Sequence, residues 1–291
     1  MANAFENPDT VARVAAKLVG LDLNLGQYLY KDLAHDFSEG SGRIVSIRVP
    51  GSAAVSKRDV GDTTTPLAQG SINEQLIPVE LKDHVYSSVP LSEEDLTLNI
   101  ENYTSRVLVP QASSIARDIE ATVAAGMQAT PESTAITYDA LTPAKTFTKI
   151  RAKLRENGVP TGARMIAAVG SGVYGDLLDA EAIDGNGKVR GFEIVESTRL
   201  AADEVIGFIP NAFALVVRAP LAPEGAPYSA SVTHGGFALR VIRAYDPTVA
   251  VERSLVSSFV AVKPLPLPVD NEDGTVSLVA NGGAVRVLTA A

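Results

Sequence analysis

The 291-residue chain contains no cysteine, which excludes a disulfide framework, a thiolate nucleophile, an iron–sulfur cluster and any cysteine-ligated zinc. Histidine is scarce as well. His35, His84 and His234 stand far apart, and none has a second histidine at the i+3 or i+4 spacing of a helical metal site. No apolar run approaches the ~20 residues that cross a bilayer. The first residues, MANAFENPDTVARVAAKLVG, lack the basic start and apolar stretch of a signal peptide, so a soluble protein made in a cytoplasm is expected. Positive charge is in deficit: the net charge of −9 argues against a basic patch that grips a phosphate backbone, and no long single-sign run marks a charged arm. A hydrophobic content of 46%, with 23 glycines in no three-residue period, excludes disorder and collagen-like structure. The length suffices for one large core or two modest ones.

The chain divides by pattern. Asp9 or Thr10 can cap a helix that carries Val11, Val14, Ala15 and Leu18 at helical spacing and stops at Gly20. The stretch from Leu21 to Phe37, with Leu23, Leu25, Tyr28, Leu29 and Leu33, is apolar but irregular. Too short for its own core and too apolar for water, it reads as an arm that covers another surface. Val45, Ile47 and Val49 then alternate with Ile44, Ser46 and Arg48 as in a half-buried strand. A second strand places Ile77, Val79, Leu81, Val85 and Val89 on one face, and Glu80, Lys82, His84 and Tyr86 on the other. The polar, Gly-rich stretch 51–75 between them is long for a connection inside a compact domain. Two long strands with an extended tip predict a projecting hairpin, which buries little by itself and needs a partner.

The longest helix is predicted from a cap at Asn102 or Thr104. Leu108, Ala112, Ile115, Ala116, Ile119, Val123 and Met127 form its apolar stripe, with Arg106, Arg117, Asp118 and Glu120 away from it. About 24 residues at ~1.5 Å each give a rod of ~36 Å, with Pro110 either in the first turns or as a kink. Helix and strand alternate afterwards. A helix runs from Pro143 to Asn157–Gly158 and a short one over Val173–Ile183; strands are expected at Met165–Val169, Phe192–Glu196, Val205–Ile209, Ala214–Arg218, Phe237–Tyr245 and Val249–Val262. This is a mixed α+β region with a sheet core. Pro264, Pro266 and Pro268 read as a stiff linker to a small hairpin, Thr275–Ala280 with Ala284–Leu288, joined by Asn281–Gly282–Gly283.

Several segments imitate chemistry. Gly170, Gly172 and Gly175 match G-x-G-x-x-G between a strand and a helix, with Glu193 and Glu196 on the next strand, which is the layout of a dinucleotide site. Against it, the motif sits in mid-chain, its helix is about three turns long, and few parallel repeats follow; a Gly-rich strand-to-helix turn fits better. His234–Gly235–Gly236 resembles an esterase oxyanion loop, but no G-x-S-x-G elbow accompanies it. Asp270–Gly274 lacks the distant glutamate of a calcium loop and reads as an acidic turn, while Glu93–Glu94–Asp95 falls where a strand gives way to helix and reads as a solvated helix start. Asn102–Tyr103–Thr104 is a glycosylation signal only in a secreted chain. No catalytic constellation remains.

What stands out is an order of parts. The segment Met165–Pro220 runs strand, short helix, the strand Gly191-Phe-Glu-Ile194-Val-Glu-Ser197, then another strand. Ahead of it, Val79–Gly126 carries Ser92–Glu93–Glu94–Asp95 and then Ile115–Ala–Arg–Asp118–Ile119–Glu120. Over roughly residues 5–263 this order resembles the major capsid proteins of tailed double-stranded-DNA bacteriophages, the Hong Kong 97 fold.

The resemblance implies an α+β chain with an N-terminal arm over 1–40, an extended hairpin loop over 41–95, and a peripheral domain of 96–140 and 246–265 built on the spine helix. An axial α+β domain would span 141–245 and a C-terminal hairpin extension 266–291. It further implies a non-enzymatic subunit, without cofactor or metal, that self-assembles as hexamers and pentamers into an icosahedral capsid around non-specifically held DNA, in virions built in a host cytoplasm. Implied assembly contacts are Val55, Lys57, Arg58, Val60 and Leu67 in the loop tip, and Leu25, Tyr28, Leu29 and Leu33 in the arm. The family's N-terminal scaffolding region of some members has no counterpart here, which suggests a separate scaffolding protein beside a portal and a decoration protein. Two rival readings remain open at this point: an encapsulin-type cellular compartment shell, and an NAD-dependent oxidoreductase resting on Gly170, Gly172 and Gly175.

Overall fold

The computed structural model describes residues 8–31, 43–49, 57–67, 75–92, 104–226, 228–234, 237–248, 251–271 and 276–288. Helix α1 (Pro8–Asp22) buries Val11, Ala12, Ala15, Ala16 and Val19. It runs through Gly20, where a stop was expected. The Phe237 ring lies 3.5 Å from the position a Gly20 Cβ would take, so packing against this turn offsets the ~1 kcal/mol that glycine costs a helix.

Strands β1 (Ile44–Val49) and β2 (Gln75–Glu80) form an antiparallel pair, Ile44 opposite Glu80 and Val49 opposite Gln75. The long second strand expected from the sequence is in fact two. After Leu81 and Lys82 the chain enters β3 (Asp83–Ser92), which pairs with a different strand in a different sheet. The break is invisible to periodicity because the alternation stays in phase across it: Ile77, Val79, Leu81, Val85 and Val89 are all buried or half-buried, while Glu80, Lys82, His84 and Tyr86 are exposed.

A π-helical turn at Thr104–Leu108 precedes α2 (Val109–Gln128), so the regular helix begins later than its predicted cap. Pro110 falls in its first turn, where a missing N–H costs nothing. The helix has 20 residues and hence a length of ~30 Å. Next come α3 (Pro143–Glu156), β4 (Met165–Val169), α4 (Ser171–Asp179), the short β5 (Lys188–Val189), β6 (Phe192–Glu196) and β7 (Glu204–Phe208). The chain ends with β8 (Phe213–Arg218), β9 (Tyr228–His234), β10 (Phe237–Asp246), β11 (Val251–Pro264), β12 (Leu267–Asp270), β13 (Val276–Val279) and β14 (Ala284–Leu288).

Two five-stranded sheets organise the body. One has the order β3-β11-β10-β9, with β8 pairing the end of β11; α1 and α2 pack on it. Gly126 of α2 sits over β11 so closely that a Cβ there would come within 2.5 Å of Val262 Cγ1. The other sheet has the order β14-β7-β4-β6-β5, in which β4 and β6 are parallel and β7 runs antiparallel to β4. Helix α3 buries Phe147, Ile150 and Leu154 against it. One continuous apolar cluster joins both sheets, and a smaller one (Ile47, Val79, Ala214, Val216, Ala261 and Leu265) fixes the root of the hairpin.

Three boundaries differ from the sequence reading. Strands β8, β9 and β10, expected in an axial domain, belong to the sheet of β3 and β11, because the β10–β11 ladder continues directly from Asp246 opposite Val251. The C-terminal hairpin does not close on itself: β13 pairs with β12, and β14 crosses to the free edge of β7. The proline series is no linker, since β11 extends to Pro264, Leu265 and Leu267 are buried, and Pro268 pairs opposite Leu278.

Candidate functional site

The glycine motif lies where it was expected, at the turn from β4 into α4, but the space a pyrophosphate would need is filled. A Cβ on Gly170 would run into the Ala201 carbonyl oxygen, and one on Gly172 would sit 2.8 Å from that of Ala202. The Ala202 oxygen accepts from Val173 N at 3.0 Å, and the Glu204 oxygen from Gly170 N at 2.9 Å. The glycines thus admit the chain's own 201–204 segment. Glu193, the candidate ribose ligand, is paired with Arg164 at 2.6 Å. With β7 antiparallel beside β4, the sheet is not the doubly wound parallel type such sites use.

Among the described residues no helix is long and apolar enough to cross a membrane, and no group of three or more His, Cys, Asp or Glu could hold a metal ion. His84 is exposed on β3. His35, Gly235, Gly236, Glu93, Glu94, Asp95, Asn102 and the acidic turn 272–274 lie outside the described residues.

The arm is held by a group the sequence reading placed on the polar face of the spine helix. Glu120 is 7% exposed. Its carboxylate accepts from the backbone N–H groups of Asn24 (2.7 Å), Leu25 (3.1 Å) and Gly26 (2.9 Å), which open a 3-10 turn at Leu25–Gln27. A carboxylate gathering three N–H donors is a strong anchor, since each such bond is charge-assisted. Asn24 Nδ2 donates to the Glu196 oxygen at 2.6 Å, and Tyr30 bridges to Ala214, its N–H donating to Phe213 O at 3.1 Å. Tyr28 rests beneath Arg164, 5.4 Å from ring centroid to guanidinium carbon, and burial followed by the nearby Glu193 carboxylate raises its hydroxyl above the ordinary tyrosine value. Lys31, over the Phe237 ring at 4.6 Å, is lowered by burial while the Glu120 charge opposes that shift.

The surface this arm covers is the chain's own body. Leu25 and Leu29 are buried in the main core, Tyr28 is half-buried, and Leu33 lies outside the described residues. A second buried carboxylate, Glu204 of β7, ties the parts together: it pairs with Arg286 of β14 at 2.6 Å and accepts from Gln128 of α2 at 2.7 Å. No periodicity could have singled out Glu120 or Glu204, because their partners are remote in sequence.

The loop tip behaves oppositely. Lys57, Arg58, Val60 and Leu67 are all exposed, Val60 at 104% and Leu67 at 76%; Val55 lies outside the described residues. The tip builds its own turn. Asp62 Oδ1 accepts from Thr64 N (2.8 Å), Thr64 Oγ1 (2.9 Å) and Thr65 N (3.0 Å), Asp59 Oδ1 accepts from Gly61 N (2.8 Å), and Arg58 donates to Thr65 O (2.7 Å). Hydrogen bonds from Thr65 and Thr64 hold the Asp62 carboxyl far below the usual carboxylate range. Between tip and body, the outer face of the β1–β2 pair leaves Ile44 55% and Leu76 61% exposed. Such a surface, polar groups satisfied locally and apolar groups presented outward, is suited to contact another molecule.

No family model and no curated protein matches the chain. Solved structures do. The capsid of the empty GTA particle aligns with a TM-score of 0.59 over 93% of this chain and 90% of that one, at 12% identity. The capsid of Cyanophage P-SCSP1u aligns at 0.56 over 86% and 84%, with 15% identity. The virus-like particle from Pyrococcus furiosus aligns at 0.52 over 98% and 100%, with 13% identity. The likeness runs over nearly the whole length of these chains, and this chain has the Hong Kong 97-type fold of phage capsid subunits.

Proposed function

We propose that this chain is a structural shell subunit whose copies form the hexamers and pentamers of an icosahedral phage capsid around double-stranded DNA. One observation carries the reading: the likeness to a capsid chain extends over about nine-tenths of both partners rather than over one shared sheet. The exposed apolar groups of the hairpin, Val60, Leu67, Ile44 and Leu76, are consistent with it, since they are available to a neighbouring copy. In the shell the loop tip, with Val55, Lys57, Arg58, Val60 and Leu67, lies across a neighbour. Leu25 and Leu29 instead shape the arm from within and leave Tyr28 and Leu33 as its contact candidates. A separate scaffolding protein, a portal and a decoration protein complete the assembly, and the finished subunit resides in the virion.

The alternative shell reading is a cellular compartment that encloses protein rather than a genome; the likeness to the virus-like particle, at a TM-score of 0.52, favours it no more than the capsid likeness favours a capsid. Electron microscopy and sedimentation of the purified protein test both. Regular closed particles or capsomers are expected, and nuclease-resistant DNA within particles from infected cells separates the capsid from the compartment. A monodisperse small oligomer that binds NAD in calorimetry would overturn the shell readings together.

A further inference from the structure

The chain's net charge of −9 is spread unevenly over its helices. Helix α1 carries Asp9, Arg13, Lys17 and Asp22, so its charges balance, while α2 and α4 hold more carboxylates than cations. Helix α3 is the exception among the described helices, with Lys145, Lys149, Arg151, Lys153 and Arg155 against the single Glu156. Its apolar side is committed to the second sheet, and its exposed positions are Lys145, Thr148, Lys149, Arg151, Ala152 and Glu156.

Little of this charge is cancelled. Lys153 meets Glu156 at 3.0 Å with side chains 40% and 70% exposed, a pairing worth little in water. Arg151 donates to Arg190 O at 2.9 Å, and Arg155 to Val159 O and Thr161 O at 2.9 Å each. Carbonyl acceptors leave those positive charges in place. Hydrogen bonds from Thr142 and Leu141, and then the Lys145 charge, hold the Asp139 carboxyl below its ordinary value, so Asp139 offsets part of Lys145. Lys149 has no ion-pair partner among the described residues. The basic face continues past the helix, where Lys188 and Arg190 line a cavity of about 680 Å3 together with Lys145. Glu181 and Asp184 also border it, and Asp184 Oδ1 accepts from the backbone N–H groups of Asn186 (3.0 Å) and Lys188 (2.8 Å). Seven cations thus stand among four carboxylates, a local surplus on an acidic chain.

At ~1.5 Å per residue, Lys145, Lys149 and Lys153 form a row ~12 Å long. One strand of a duplex presents about three or four phosphates over that axial distance, at ~3.4 Å each. We propose that the exposed face of α3, continued by Lys188 and Arg190, is a contact for the phosphate backbone of duplex DNA. Such contacts hold and position a duplex but carry no sequence information. An acidic peptide fits less well, because the exposed positions between the cations are Thr148 and Ala152, which give no pocket to an apolar anchor. The negative balance of the whole chain keeps each contact weak, and many copies in one lattice multiply it. The proposal rests on the shell reading, since it takes the enclosed genome as the ligand.

The test uses the full-length unassembled subunit and a short labelled duplex, followed by fluorescence anisotropy. A Kd of about 10–100 µM at about 150 mM salt is expected, equal for two unrelated sequences. With about three phosphates neutralised, affinity should fall about twentyfold between about 50 and about 150 mM salt. Lys145→Glu/Lys149→Glu should weaken binding about tenfold or more at unchanged melting temperature, because both residues are exposed. Lys145→Arg/Lys149→Arg should bind as the natural chain does. The reversal Arg13→Glu/Lys17→Glu on the exposed face of α1 changes the net charge by the same amount and should cost about threefold or less. Equal losses from the two reversals would overturn the proposal by showing that net charge alone governs binding. A polyglutamate peptide that competes as well as DNA, or a strong preference for one sequence, would overturn it too. Normal particles from a protein whose DNA affinity ignores Lys145 and Lys149 would reject the contact and spare the shell reading; binding that depends on both residues in a protein that never forms particles would do the reverse.

Discussion

The arm and the hairpin are both read from the sequence as segments too thin to hold a core of their own, yet the fold treats them in opposite ways. The arm surrenders its backbone donors to a carboxylate in the spine helix, so it is fixed by the body and buries Leu25 and Leu29 there. Among the described residues of the hairpin tip, Gly61, Thr64 and Thr65 donate their N–H groups to Asp59 and Asp62, while Val60 and Leu67 stand in solvent. Where a projection sends its polar backbone groups decides whether its apolar side chains are spent at home or kept for a neighbour. An unpaired buried N–H is costly, so the segment that relies on Glu120 cannot leave without penalty. A segment that pairs its own is free to travel.

The sharpest way to break this contrast is Glu120→Ala. Three donors, two of them buried, lose their acceptor, and a loss of about 3–5 kcal/mol in urea unfolding is expected. Limited proteolysis should then cut within the arm first. Arm residues as resistant as before would show that apolar contacts alone hold it. At the root of the hairpin, Val79→Ala removes a side chain 1% exposed in the small cluster with Ile47 and Ala261. A cost of about 1–2 kcal/mol is expected, below the usual large core deletion because the cluster is small and can relax. Replacing Ser52–Ser71 by Asn–Gly should change stability by about 1 kcal/mol or less, since loop closure depends weakly on length, yet abolish closed particles in sedimentation. Capsids of normal size from that variant would mean that the tip makes no essential contact.

The smallest effect concerns pH. Because the folded Asp62 carboxyl sits below its unfolded value, its contribution is present above the ordinary carboxylate pKa of ~3.9 and is lost only as pH falls below it. Amide protection at Thr64 and Thr65 should therefore be equal at pH 7 and pH 5 and fade under stronger acid. Asp62→Ala should remove that protection at every pH and leave the melting temperature unmoved.

Much of the fold was legible where local pattern decides it. Strands β4 and β6 lie at the residues their apolar runs predict, and α3 starts at Pro143 as its chemistry requires. Pattern failed where partner choice decides. The Asn281–Gly282–Gly283 turn has hairpin chemistry, and Asn281 does adopt φ 53°, but the glycines serve a close approach: a Cβ on Gly283 would lie 3.0 Å from that of Ala212. The turn delivers β14 to β7, whose edge was open, and Ile209 N donates to Gly283 O at 3.0 Å. The candidate contact residues divide in the same way. Exposure of the tip follows from its composition, whereas the burial of Leu25 depends on a glutamate 95 residues away.

The in-phase junction at Leu81–Lys82 has a mechanical meaning. A pull on the hairpin passes through those two residues into β3, whose ladder with β11 contains ten residue pairs from Asp83–Val260 to Ser92–Val251. Its hydrogen bonds lie perpendicular to the strands. A load directed along β3 therefore shears the whole row at once instead of unzipping it bond by bond, and the rupture rate is set by the joint barrier of the row. Tension on the hairpin would reach the body at one of the longest ladders among the described strands.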